Sequence, residues 1–116
     1  MDNERIFEVQ AALCHAMGYP IRMQIMHLLR NGSLSINDIA SAANTHQTTI
    51  SRNLAILRNA GIVTTRRVGT SILYHVANPK MMSICDLMRE VLLEQINDRS
   101  NLLDIEEVIA IHTKGG

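Results

Sequence analysis

Apolar residues recur at helical spacing from Ile6 to Leu57, give way to a period of about two residues between Val63 and Val76, and return to helical spacing from Ile84 to Ile96. A helix repeats its face about every 3.6 residues and a strand every 2, so one kind of element cannot satisfy both patterns. The chain must be helical on either side of a single short β segment. Ile6, Val9, Leu13 and Met17 define a first helix, with Cys14 on its shoulder and Gly18 ending it before Tyr19-Pro20. Pro20 suits the opening turn of a second helix with a stripe of Ile21, Ile25, Leu28 and Leu29, stopped by Asn31-Gly32. Ser35 can cap a short third helix over 36–43, packed through Ile36, Ile39, Ala40 and Ala43. Asn44-Thr45-His46 breaks the chain before a fourth helix over about 47–60, whose interior stripe is Ile50, Leu54 and Leu57 and whose C-terminal cap is Gly61.

The alternation after Gly61 predicts a β-hairpin turning at Gly69-Thr70, with Ile72, Tyr74 and Val76 on one face and Leu73 and His75 on the other. Asn78-Pro79 opens a fifth helix striped by Ile84, Leu87, Met88, Val91, Leu92 and Ile96. Leu102, Leu103, Ile105, Val108 and Ile109 suggest a short last helix in the tail. Four helices, a hairpin and a helix, with a tight turn between the third and fourth, describe a mainly α winged helix-turn-helix. Residues 1–100 are expected to form its DNA-binding and dimerisation domain, and 101–116 a C-terminal tail.

A length of 116 residues fits one domain. Aromatic residues are only 3%, so the core must be aliphatic and methionine-filled. No apolar run approaches the roughly 20 residues that span a bilayer, and Met1-Asp2-Asn3-Glu4-Arg5 does not open a signal peptide. A soluble cytoplasmic protein is expected, with Cys14 and Cys85 kept as thiols at rest. An enzyme is not: the chain has no Gly-rich phosphate loop, no paired acids in a pocket pattern and no nucleophile motif, and nothing calls for a cofactor.

Eleven basic and eleven acidic residues cancel, but they are not mixed. Between Asp38 and Asp86 no acid occurs, while Arg52, Arg58, Arg66, Arg67 and Lys80 give that stretch a charge of +5. From Asp86 onward, seven acids face Arg89, Arg99 and Lys114, a balance of −4. Such asymmetry fits a domain that meets phosphate on one side only.

The fourth helix supplies the chemistry for reading a duplex. Gln47, Thr48, Ser51 and Arg52 stand at i, i+1, i+4 and i+5, on one surface that a major groove about 12 Å wide admits. Arginine can grip guanine with two hydrogen bonds, glutamine can do the same for adenine, and a threonine methyl can touch thymine. Thr49 belongs to the same half of the helix, and Arg66, Arg67 and Thr70 at the hairpin offer contacts to the backbone or minor groove.

Three segments together resemble the ArsR/SmtB family of repressors. They are Leu13 to Ile25, containing Gly18-Tyr19-Pro20-Ile21-Arg22; Gln47 to Val63, containing Gln47-Thr48-Thr49-Ile50-Ser51-Arg52 and Ala60-Gly61-Ile62-Val63; and Arg66-Arg67-Val68-Gly69 with Ile72 to Val76. The likeness spans roughly residues 8–96. It implies a homodimer joined through the first and last long helices, bound to a palindromic operator and released by an inducer. Elementary packing agrees. Ile6, Phe7, Leu87, Val91, Leu92 and Ile96 exceed what one small domain can cover, and a two-fold partner would bury them.

The family's metal-binding patterns are missing. Where some members carry a cysteine pair at the third helix this chain has Ser35-Ile36-Asn37, and no histidine lies between His75 and His112. No metal site is therefore expected. Cys14 and Cys85 fall on the two helices that the family fold packs together at the dimer interface. They are the candidate effector site, for an oxidant or reactive sulfur species or, alternatively, for a soft metal or metalloid. Two buried hydrophobes remain the bland reading of the same pair. The inducer is a small molecule that the sequence does not identify. A winged-helix interaction module that does not read DNA is the competing class.

Overall fold

A computed structural model describes residues 2–99 and 109–110. The elements are α1 (Asn3–Met17), α2 (Pro20–Leu28), a 3-10 turn (Leu29–Asn31), α3 (Ile36–Ala43), α4 (Gln47–Asn59), β1 (Val63–Val68), β2 (Ser71–Val76) and α5 (Lys80–Arg99). This is the winged helix-turn-helix order expected from the period changes. The helix expected in the tail from Asn101 lies outside the described residues, apart from Ile109 and Ala110. The chain divides into two compact units, Met1–Met82 and Ser83–Gly116.

Local chemistry sets the boundaries. The Asp2 carboxylate accepts the Arg5 N–H at 2.8 Å, and Ser35 Oγ accepts the Asp38 N–H at 3.1 Å, so α1 and α3 each begin on a side-chain cap. Pro20 occupies the first turn of α2, where its missing N–H is not needed. Asn44 ends α3 at φ 50, and Gly61 follows α4 at φ 76, both in the left-handed region. Replacing Ser35 with alanine removes the α3 cap and is expected to lower stability by about 1 kcal/mol, read as a lower midpoint at unchanged slope in urea unfolding.

The core of the first unit is built where the helices cross. Ile25, Met26, Ile39, Ile50, Leu54, Leu57 and Ile62 are wholly buried, with Leu29, Ala16 and Met17 beside them. The α2 stripe differs from the expected one. Its buried residues are Arg22, Ile25 and Met26, with Leu29 buried in the 3-10 turn that follows, while Ile21 and Leu28 are half-buried. The sector turned inward is centred on Arg22 and Met26 because Arg22 has partners inside, described below.

β1 and β2 pair antiparallel from Val63↔Val76 to Val68↔Ser71. Gly69 has φ 63 and Thr70 does not have positive φ, the backbone pattern of a type II′ turn, whose twist suits a two-residue hairpin. Leu34 adds a rung: its N–H donates to the Tyr74 carbonyl at 3.0 Å, and the Tyr74 N–H donates back at 2.8 Å. These two bonds tie the hairpin to the segment that leads into α3.

Ser83–Gly116 is dominated by α5, where Ile84, Leu87, Met88, Val91, Leu92 and Leu93 are exposed and Ile96 is half-buried. On α1, Ile6, Phe7 and Val9 are exposed as well. No helix of the described residues is long and apolar enough to cross a membrane.

Candidate nucleic-acid interface

The turn between α3 and α4 is held by backbone and side chain together. The Thr45 N–H donates to the Ala40 carbonyl at 3.0 Å, and Thr45 Oγ1 donates to the Ala43 carbonyl at 3.0 Å. His46 then stands at the N-cap of α4 without a side-chain capping bond. Because Ile50, Leu54 and Leu57 anchor one side of α4 in the core, the opposite side must face outward. Gln47, Thr48, Ser51 and Arg52 are exposed there and, with Ile36, line an open hollow of about 520 Å³. Thr49 stands apart from these four, half-buried.

The inner flank of α4 explains both Thr49 and the α2 stripe. Arg22 is 8% exposed. Its Nε donates to Asn53 Oδ1 at 3.0 Å, one terminal nitrogen donates to the Ala16 carbonyl at 3.0 Å, and the guanidinium lies 4.1 Å from the centroid of the Tyr19 ring. Asn53 Nδ2 in turn donates to the Thr49 carbonyl at 2.9 Å. One buried cation thus ties the end of α1, the start of α2 and the middle of α4, and sets how α4 presents its outer face. A buried charge is costly unless its donors are satisfied and its field is compensated, and here carbonyl oxygens and a ring face supply both. Sequence reading missed this role. The available signal was an arginine at the i, i+3, i+4 and i+7 spacing of Ile25, Met26 and Leu29.

On the hairpin, Arg66, Arg67 and Thr70 are all exposed. Arg66 pairs with Leu73 and Arg67 with Ile72, so the two arginines project from opposite faces of the two-stranded ribbon. Cys14 is exposed on α1, in the first unit, and Cys85 is half-buried on α5, in the second. Among the described residues, no three of His, Cys, Asp or Glu come together in a way that could hold a metal ion.

Comparisons with known proteins agree with the winged helix-turn-helix fold. The model of the bacterial regulatory protein arsR family matches residues 19–65. An uncharacterized HTH-type transcriptional regulator from Methanocaldococcus jannaschii is 36% identical over 86 residues, covering 73% of this chain and 97% of that protein. Among solved structures, a homodimeric winged helix-turn-helix DNA-binding domain from Mycobacterium bovis superposes with a TM-score of 0.76 at 28% identity, covering 84% of this chain and 93% of that one. Reduced HlyU from Vibrio cholerae superposes with a TM-score of 0.68 at 26% identity, covering 76% and 93%. Fold and relatives define a winged helix-turn-helix transcriptional regulator, a DNA-binding protein of a non-enzymatic class. The chain belongs to the ArsR family.

Proposed function

We propose that two copies of the chain form a repressor that grips a pseudo-palindromic operator and leaves it when an effector arrives. The observation that carries this reading is the outer face of α4. Gln47, Thr48, Ser51 and Arg52 are exposed together, inside a stretch of the chain that holds no acid. In this reading Arg52 and Gln47 contact base edges, Thr48 and Ser51 add base or phosphate contacts, and Arg66, Arg67 and Thr70 reach the backbone or minor groove. Ile6, Phe7, Leu87, Val91, Leu92 and Ile96 form the dimer contact, supported by the exposure of all but the half-buried Ile96 and by the homodimeric Mycobacterium bovis relative.

The roles of the arginines separate in one experiment. Arg52→Ala is expected to weaken specific binding by about 1–3 kcal/mol and to relax base preference at one position, while Arg67→Ala weakens all sequences alike. Fluorescence anisotropy against operator variants distinguishes them, and an equal, sequence-blind loss from both removes the reader assignment.

For the effector, the pair Cys14 and Cys85 is the proposed sensor, with an oxidant or reactive sulfur species as the signal. Two thiols that join as a disulfide give up two electrons and two protons to the oxidant, and the new bond constrains the helices that carry them. The exposure of Cys14 supports its access to a soluble oxidant, and the Vibrio cholerae relative was solved in a form named as reduced. Cys14→Ser and Cys85→Ser are expected to bind DNA as the parent does and to stay bound when persulfide or peroxide is added. Release of either variant by the oxidant would exclude the thiol pair, and release by arsenite or another soft metal instead would favour the metalloid alternative.

A further inference from the structure

At the base of the hairpin, a hollow of about 390 Å³ opens between the 3-10 turn and the two strands. Leu29, Val76 and Met82 give it an apolar lining, and Arg30, Arg66 and His75 stand around it. Among the described residues no acid contributes to its wall. Thr64 pairs with His75 and Arg66 with Leu73, so Arg66 and His75 project from the same face of the hairpin. Among the described residues nothing hydrogen-bonds to His75 Nδ1, which is buried. A buried ring nitrogen without a partner is a destabilising feature that an incoming polar group, met by a small turn of the ring, would relieve.

Volume and lining together narrow the occupant. The size lies at the lower end of the range of small-molecule sites, which pair an apolar surface with a few placed polar groups. The Arg66 guanidinium and the His75 imidazole select an anion, and arginine's planar fork matches a carboxylate with two parallel hydrogen bonds. The aliphatic wall selects an organic body over a fully hydrated inorganic ion. We propose that this hollow binds a small organic carboxylate and that its occupation weakens DNA binding. The second half rests on the reading above that the hairpin meets phosphate. Arg66 engaged by the carboxylate is no longer available to the duplex, and by linkage the duplex weakens the carboxylate by the same factor.

The test uses the full chain, isotope-labelled, titrated at matched ionic strength with benzoate, its neutral isostere benzamide, and inorganic phosphate. Benzoate is expected to shift the Arg66 side-chain, His75 ring and Met82 methyl resonances together and to saturation. Arg66→Gln, at an exposed position that the fold does not need, is expected to weaken benzoate about tenfold at unchanged melting temperature, and His75→Gln to weaken it as well. No saturation with benzoate, or equal binding of benzamide or phosphate, overturns the carboxylate site. In a DNA-binding assay, saturating benzoate is expected to lower affinity several-fold for the parent chain and not for Arg66→Gln. If benzoate saturates the site yet leaves DNA affinity unchanged, the regulatory half fails. If Arg66→Gln also binds DNA as the parent does, the failure lies in the hairpin-phosphate reading and not in the site.

Discussion

Raising the salt from about 50 to about 200 mM is expected to weaken operator binding by roughly 10³- to 10⁴-fold. The chain's net charge is zero, and on that ground alone no such dependence would be foreseen. Counterion release depends instead on the phosphates actually neutralised, and in the proposed complex those face the stretch that carries +5 and no acid. If each of two protomers covers about three or four phosphates, log affinity falls against log salt with a slope near −6. Anisotropy titrations at four or five salt concentrations measure it. A slope shallower than about −2 would mean that the basic stretch does not lie along the duplex.

An equally large effect is expected from the apolar face of α5. Leu87 is 61% exposed and Val91 51% exposed, so the single chain draws little stability from either side chain. Burying a large aliphatic side chain contributes about 1.5–3 kcal/mol, and a two-fold contact counts each residue twice. The double variant Leu87→Asp, Val91→Asp places four carboxylates in that contact. It is expected to sediment at half the parent's mass, keep its far-ultraviolet circular dichroism, and lose roughly 10²- to 10⁴-fold in operator affinity as two linked readers become one. A monomeric variant with undiminished affinity would show that one reader helix suffices.

What the sequence disclosed and what it hid follow from the range of the interactions. Ser35, Gly61 and the Gly69-Thr70 turn act on backbone within four residues of themselves, so their identities were enough to place the ends of α3 and α4 and the hairpin reversal. The exposed side of α4 was legible for the same reason, since Ile50, Leu54 and Leu57 fix where the opposite side points. Arg22 was not legible, because Ala16, Tyr19 and Asn53 meet it only once three helices have packed. The expected α2 stripe of Ile21, Ile25, Leu28 and Leu29 accordingly left out both Arg22 and Met26. The opposite facing of Arg66 and Arg67 follows from the two-residue period alone. The hollow beside Arg66 was beyond reach, since Leu29, Arg30 and Met82 join the strands there only through tertiary packing.

Sedimentation equilibrium of the purified chain, alone and with a promoter duplex at low ionic strength, tests the whole account most directly. The free protein is expected at twice 13.0 kDa, and the complex at two protomers per duplex site. A species of 13.0 kDa that stays single on DNA, or a protein that binds no promoter fragment at all, would contradict it.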